Sequence, residues 1–113
     1  MVDSQRPDMI QGTMDLLILK VVSLEPMHGW GISERIQQIS GEVLQVNQGS
    51  LYPALHRLTG QGLLASSWAT TANGRRARLY RLTRAGRKRL GQEEAHWRRL
   101  SGGVNQILAA GEA

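Results

Sequence analysis

The 113-residue chain contains no cysteine and no phenylalanine. Without thiols there is no disulfide framework, no Cys-type zinc site, no thiol nucleophile and no iron–sulfur ligation. Nothing points to a secreted life, and the cytoplasm is the expected address. Aromatic residues are few, three Trp and two Tyr, so the core is expected to be mostly Leu, Ile and Val. Long hydrophobic runs are missing too. The stretch Leu16 to Leu19 is far below the ~20 residues of a membrane span, and the polar start from Met1 to Asp8 has no secretory apolar region, so neither export nor insertion is expected. His28, His56 and His96 lie on separate segments without i, i+4 pairing, so no metal site is expected. Gly29-Trp30-Gly31 lacks the third glycine and strand context of a dinucleotide loop. Gly102-Gly103 has no P-loop lysine, and no Ser, His and acidic trio has a recognisable setting. The expectation is a non-enzyme with no cofactor.

Acidic residues are also scarce at one end. Residues 1–74 hold 4 basic and 6 acidic side chains, whereas residues 75–113 hold 10 basic and 3 acidic. Between Arg75 and Arg89 stand eight Lys or Arg and no Asp or Glu. Such a run attracts a polyanion and is screened by salt. By itself such a run is more often a solvated face that keeps a protein soluble, so the run alone decides nothing.

Residues 1–9, with Pro7 and scattered charges, read as a flexible arm. Apolar positions 14, 17, 21 and 24 then predict a first helix to about Ser23, opened by Thr13 and Asp15. Leu16, Ile18, Leu19 and Val22 make it apolar around most of its circumference, which calls for burial on two sides, one of them available to another chain. Glu25-Pro26 ends that helix. Ile32, Ile36 and Ile39 mark a second, stopped at Gly41. Leu51, Leu55 and Leu58 mark a third. With Ser50 as N-cap, Pro53 is its third residue, inside the first turn where proline is tolerated. The face opposite the leucines then carries Gly49, Pro53, His56 and Arg57, edged by Ser50 and Tyr52, a mixture suited to phosphates and base edges.

Asn73-Gly74 between two apolar-alternating stretches predicts a hairpin. As a two-residue turn it places Trp68 opposite Leu79 and Ser67 opposite Tyr80. Thr83 caps a terminal helix to about Ala109, with Leu90, Trp97, Leu100, Val104 and Ile107 near heptad spacing and Glu93 interrupting the seam. Gly102-Gly103 costs ~1 kcal/mol per glycine there, so the last turns are expected to kink or fray unless packed.

The order of elements predicts an α+β, mainly α chain. It is a winged helix-turn-helix at residues 10–83 with an N-terminal helix, followed by a C-terminal dimerisation helix at 84–109 and a tail at 110–113. Such a fold puts helix 3 in the major groove and the hairpin on flanking backbone. A two-fold pair of short reading helices fits an inverted repeat about one turn apart. The dimerising surfaces at hand are helix 1, with Leu16 and Leu19, and the terminal helix, with Trp97, Leu100 and Val104.

The stretches Gln11-Gly12-Thr13-Met14-Asp15-Leu16-Leu17-Ile18-Leu19, His28-Gly29-Trp30-Gly31-Ile32, Gly49 to Leu58, Gly62-Leu63-Leu64 and Arg75 to Gly86 resemble the PadR-like transcriptional regulators. Resemblance runs from about residue 10 to residue 108. It implies a homodimeric winged-helix regulator of double-stranded DNA, usually a repressor, in which a single C-terminal helix supports dimerisation. The expected DNA contacts are Ser50, Tyr52, Pro53, His56, Arg57, Arg75, Arg76 and Arg78. Two readings of Tyr52 stand, contact to DNA or packing on the wing. Two stand for Arg57, DNA contact or a surface ion pair. Trp97 closes a dimer core or, with Leu100, walls a pocket for a planar aromatic effector such as some family members hold. The alternative to DNA regulation is a winged-helix protein-interaction module whose basic wing only solubilises it.

Overall fold

The computed structural model describes residues 11–111, so the expectations for residues 1–9 fall outside it. Helix α1 spans Gln11–Leu24 and gives way at Glu25-Pro26 to a short strand, β1, Met27–His28. Helix α2 follows at Gly29–Ile39, then α3 at Gln48–Gly60. Strands β2, Leu64–Thr70, and β3, Arg76–Leu82, form the hairpin, and α4 runs from Arg84 to Ala109. All strand pairs are antiparallel, in the order β1-β3-β2. Mainly helical, with this small sheet, the fold is a winged helix.

One core joins Met14, Ile18, Leu19, Val21 and Val22 of α1 to Ile32 and Ile36 of α2, the leucines of α3, and Leu64, Tyr80 and Leu90. Helix α1 runs through its middle, packed against α2, α3, β3 and α4. Its near-continuous apolar circumference is therefore met largely within this chain. Leu19, expected at a dimer surface, is 1% exposed and belongs to the protomer's own core.

Three boundaries differ from the sequence expectation. Helix α3 begins at Gln48, capped by Asn47, whose side chain accepts from the Ser50 backbone N–H at 2.8 Å. An Asn can cap as well as a Ser, and this cap moves Pro53 into the second turn. The hairpin loop has three residues, Ala72, Asn73 and Gly74. Thr71 N–H donates to the Arg75 carbonyl at 2.7 Å and Gly74 takes the left-handed conformation, φ 83°. That arrangement competes with the two-residue turn and suits Gly at its last position. It slips the register by one residue, so that Trp68 lies opposite Arg78 and Ser67 opposite Leu79. A one-residue slip exchanges the two faces of a strand relative to its partner. Strand β1 was not foreseen, since two residues carry no period.

Helix α4 is continuous through Gly102 and Gly103. Thr83 caps it, accepting from Gly86 N–H at 2.9 Å while its hydroxyl lies 2.7 Å from the Gly62 carbonyl oxygen and 3.0 Å from that of Leu63. Gly86 is required here, because a Cβ would fall on the Leu63 carbonyl oxygen. The start of α4 is thereby fastened to the start of β2.

Candidate nucleic-acid interface

Helix α3 buries Leu51, Ala54, Leu55 and Leu58, and this stripe turns Gly49, Tyr52, Pro53 and His56 outward. Ser50 is exposed in the first turn, where its N–H is held by Asn47. Tyr52 is 42% exposed, and its ring lies so close to Gly29 that a side chain there would meet its hydroxyl at 2.7 Å. Tyr52 thus packs on the start of α2 while presenting the rest of its ring to solvent.

Arg57 is placed differently from the other expected contacts. Its guanidinium donates to the carboxylate of Asp15 on α1, with the two side chains only 29% and 21% exposed. An ion pair of the kind expected as one of the two readings of Arg57 is present, and it ties α3 to α1. The reason is angular: Arg57 is one position past His56, about 100° round the helix, and faces α1.

The wing carries the cations. Arg75, Arg76, Arg78 and Arg81 are exposed on or beside β3, and Arg84, Arg87, Lys88 and Arg89 continue along the exposed side of α4. Strand alternation puts Ser66, Trp68, Arg76, Arg78 and Tyr80 on one face of the sheet. Toward the base that face is core, with Tyr80 buried; toward the tip it is cationic. Burial raises the Tyr80 hydroxyl above its ordinary pKa; Arg78 acts in the opposite sense and Tyr52 in the same sense as burial. Tyr52 is joined to the wing through β1: the ring lies on Gly29, and the preceding residue, His28, pairs with Leu79 of β3.

Sequence reasoning missed two aromatic groups here. Trp68 is 56% exposed and lies beneath the guanidiniums of Arg76 and Arg78. A two-residue turn had turned it to the opposite face, and the three-residue alternative with Gly at its left-handed position would have revealed it. On the other edge of β3, His28 donates from Nδ1 to the Arg78 carbonyl at 2.9 Å and stacks on Trp30, with centroids 4.7 Å apart. Trp30 walls a cleft of about 390 Å³ shared with Thr71, Asn73, Arg75 and Arg76.

Trp97, Leu100 and Val104 stand 44%, 47% and 46% exposed on α4. Half-buried Leu16 borders two hollows of about 420 and 350 Å³ that share Thr13 and Trp97. No group of three or more His, Asp or Glu capable of holding a metal exists among the described residues. Nor is any described helix long and apolar enough to cross a membrane.

The profile of the transcriptional regulator PadR-like family matches residues 18–92. A transcriptional regulator of Mycobacterium tuberculosis is 44% identical over 57 residues, which is 50% of this chain and 52% of that protein. Among solved structures, a transcriptional regulator from Clostridium thermocellum superposes with TM-score 0.78 at 27% identity, covering 86% of this chain and 94% of its own. A PadR-like transcription factor from Bacteroides fragilis gives 0.70 at 32% identity, covering 86% and 91%. A PadR-like regulator from Bacillus cereus gives 0.75 at 26%, covering 90% and 96%. With the family profile spanning the winged helix and the fold shared over nearly all of its length, the chain belongs to the PadR-like family of transcriptional regulators, which are not enzymes.

Proposed function

We propose that this regulator is a cytoplasmic homodimeric repressor that reads an inverted-repeat operator. Helix α3 enters the major groove through Ser50, Tyr52, Pro53 and His56, and Arg75, Arg76 and Arg78 hold the flanking phosphates. The observation that carries this reading is the closeness of the two surfaces: Tyr52 of α3 packs on Gly29, and the adjoining His28 pairs with Leu79 of β3 and bonds the carbonyl of Arg78 on the cationic wing. Arg57, engaged with Asp15, has a structural role in it.

Dimerisation is supported by α4. Every described residue from Gly102 onward is exposed. The two glycines weaken the end of this helix by ~1 kcal/mol each relative to alanine, and its exposed side chains find no packing within the protomer to offset that. A second copy supplies the missing packing, along Trp97, Leu100 and Val104 with Leu16. The hollows beside Trp97 then become a place where a planar aromatic effector releases the DNA.

The test is a fluorescence-anisotropy titration against duplex from upstream of the protein's own gene, with a scrambled duplex as control. Preference for the upstream DNA with two protomers per site is expected. Equal, weak binding to both duplexes contradicts specific recognition of that operator and favours a wing that serves only as a basic surface. For the effector, saturable quenching of Trp fluorescence by planar aromatics, lost in Trp97→Ala, is expected; silence across the panel contradicts it.

A further inference from the structure

An indole 56% exposed on a wing contributes little to the core, yet two cations converge on this one. The Arg76 Cζ lies 4.9 Å and the Arg78 Cζ 4.8 Å from the Trp68 ring, within the range where a guanidinium is attracted by the ring quadrupole. Register explains the convergence: Trp68 stands directly opposite Arg78, with Arg76 the diagonal neighbour on the same face. Ser66, two residues before Trp68 on that face, accepts from Arg78 Nη1 at 2.9 Å. Neither guanidinium is paired with a carboxylate among the described residues. Two like charges are therefore held at one neutral ring, one of them also by a hydroxyl. A guanidinium carries five N–H donors, so one held over a ring, even with one bond to Ser66, keeps donors free to grip a phosphate.

We propose that Trp68 is a positioning residue of the wing: its indole presents Arg76 and Arg78 as a preformed pair to adjacent backbone phosphates of duplex DNA. The role rests on the DNA-binding reading above. Free arginines on a hairpin lose rotamer freedom when they bind; cations already held over a ring lose less, so the ring contributes affinity without touching the DNA. The pair confers strength rather than sequence preference, because phosphates carry no sequence information.

The test compares the full-length wild-type chain with Trp68→Leu, which keeps an apolar side chain without a π face, and Trp68→Phe, which restores one. Each is titrated against the upstream and scrambled duplexes at several salt concentrations, and the Arg side-chain Nε–H resonances are recorded without DNA. In the free wild-type protein, two Arg resonances that disappear in Arg76→Ala and Arg78→Ala are expected to be displaced upfield by the indole and to return toward ordinary positions in Trp68→Leu. Trp68→Leu is expected to bind both duplexes about tenfold more weakly, and Trp68→Phe to recover most of that loss. The salt slope of Trp68→Leu stays that of the wild type because the phosphate contacts remain, while Arg76→Ala and Arg78→Ala each lower it by about 1.8, about 0.9 for each of the two wings of a bound dimer. Wild-type affinity in Trp68→Leu, failure of Trp68→Phe to recover, or undisplaced Arg resonances overturns the inference while leaving DNA binding standing. Displaced resonances in a wild-type protein that binds neither duplex overturn the DNA reading itself, and the proposed role of Trp68 with it. Thermal unfolding of the variants checks that the exposed substitutions leave the fold intact.

Discussion

Single atoms decide several properties of this molecule. Gly86 sits against the Leu63 carbonyl oxygen at the junction of α4 and β2, so Gly86→Ala must displace backbone on one side or the other. A loss of about 2–4 kcal/mol in urea unfolding is expected, the scale of overpacking a tight site. Arg57→Ala leaves the Asp15 carboxylate, 21% exposed, without its partner. Such a half-buried pair falls between the surface and interior cases, and a loss of about 1–2 kcal/mol is expected. Because Arg57 is spent inside the protomer, the salt slope of DNA binding should not change in that variant; a lower slope would return Arg57 to the phosphate-contacting set. Tyr80 sets the response to alkali. Its hydroxyl, raised above the ordinary tyrosine value chiefly by burial, stays neutral in the folded protein where the unfolded chain would ionise. Its contribution is therefore present in full below about pH 10, the unfolded value, and is lost as pH rises through the higher folded value. Urea midpoints measured from pH 8 upward should fall above that point, and less steeply in Tyr80→Phe.

At the scale of elements, α4 is a long lever with a weak place. Its 26 residues reach about 39 Å, and in the heptad frame that places Trp97 and Val104 on one line of the seam, Gly102 points away from it. A Cβ at Gly102 meets nothing within 4 Å. Gly102→Ala is accordingly expected to stabilise the protein by about 1 kcal/mol through helix propensity alone, read as a higher Tm; destabilisation would mean that a partner's backbone lies against that glycine. Elements with a strong period were legible from residues alone. The isoleucines of α2, the leucines of α3 and the Thr83 cap each announced a helix, and the apolar alternation around Asn73-Gly74 announced a hairpin. What stayed hidden depended on contacts between elements or on a choice between near-equal local solutions. Asn47 and Ser50 both qualify as caps, and only the folded loop selects Asn47. Two- and three-residue turns both use Asn-Gly, and the difference decides which face of the wing holds Trp68. Leu16 and Leu19 look alike on a helical wheel, yet α1 has neighbours on four sides and Leu19 is enclosed by them. The outward face of α3 was legible down to Tyr52 and His56, while the pairing of Arg57 with Asp15 spans 42 positions in sequence and leaves no local signal.

The whole molecule is elongated, 59 × 34 × 23 Å with a radius of gyration of 16.1 Å, against about 13 Å for a compact domain of 100 residues. The excess is the projecting part of α4, whose apolar line through Trp97, Leu100 and Val104 is the surface proposed to receive a second copy. Leu100→Glu is expected to shift the protein from dimer to monomer in sedimentation, and to weaken operator binding more than it alters the fold of the winged helix. Net charge tells the same story at long range, since the basic excess behind its +5 is gathered between Arg75 and Arg89, on the wing and the start of α4. The most direct test is an anisotropy titration of the upstream duplex with wild-type protein and with Arg75, Arg76 and Arg78 all changed to Glu, from about 50 to 200 mM salt. Tight, steeply salt-dependent binding by the wild type, abolished in the triple variant while its fold and dimer persist, is the expected result. Undiminished binding by the triple variant, or wild-type binding indifferent to salt, would contradict a wing that grips the DNA backbone.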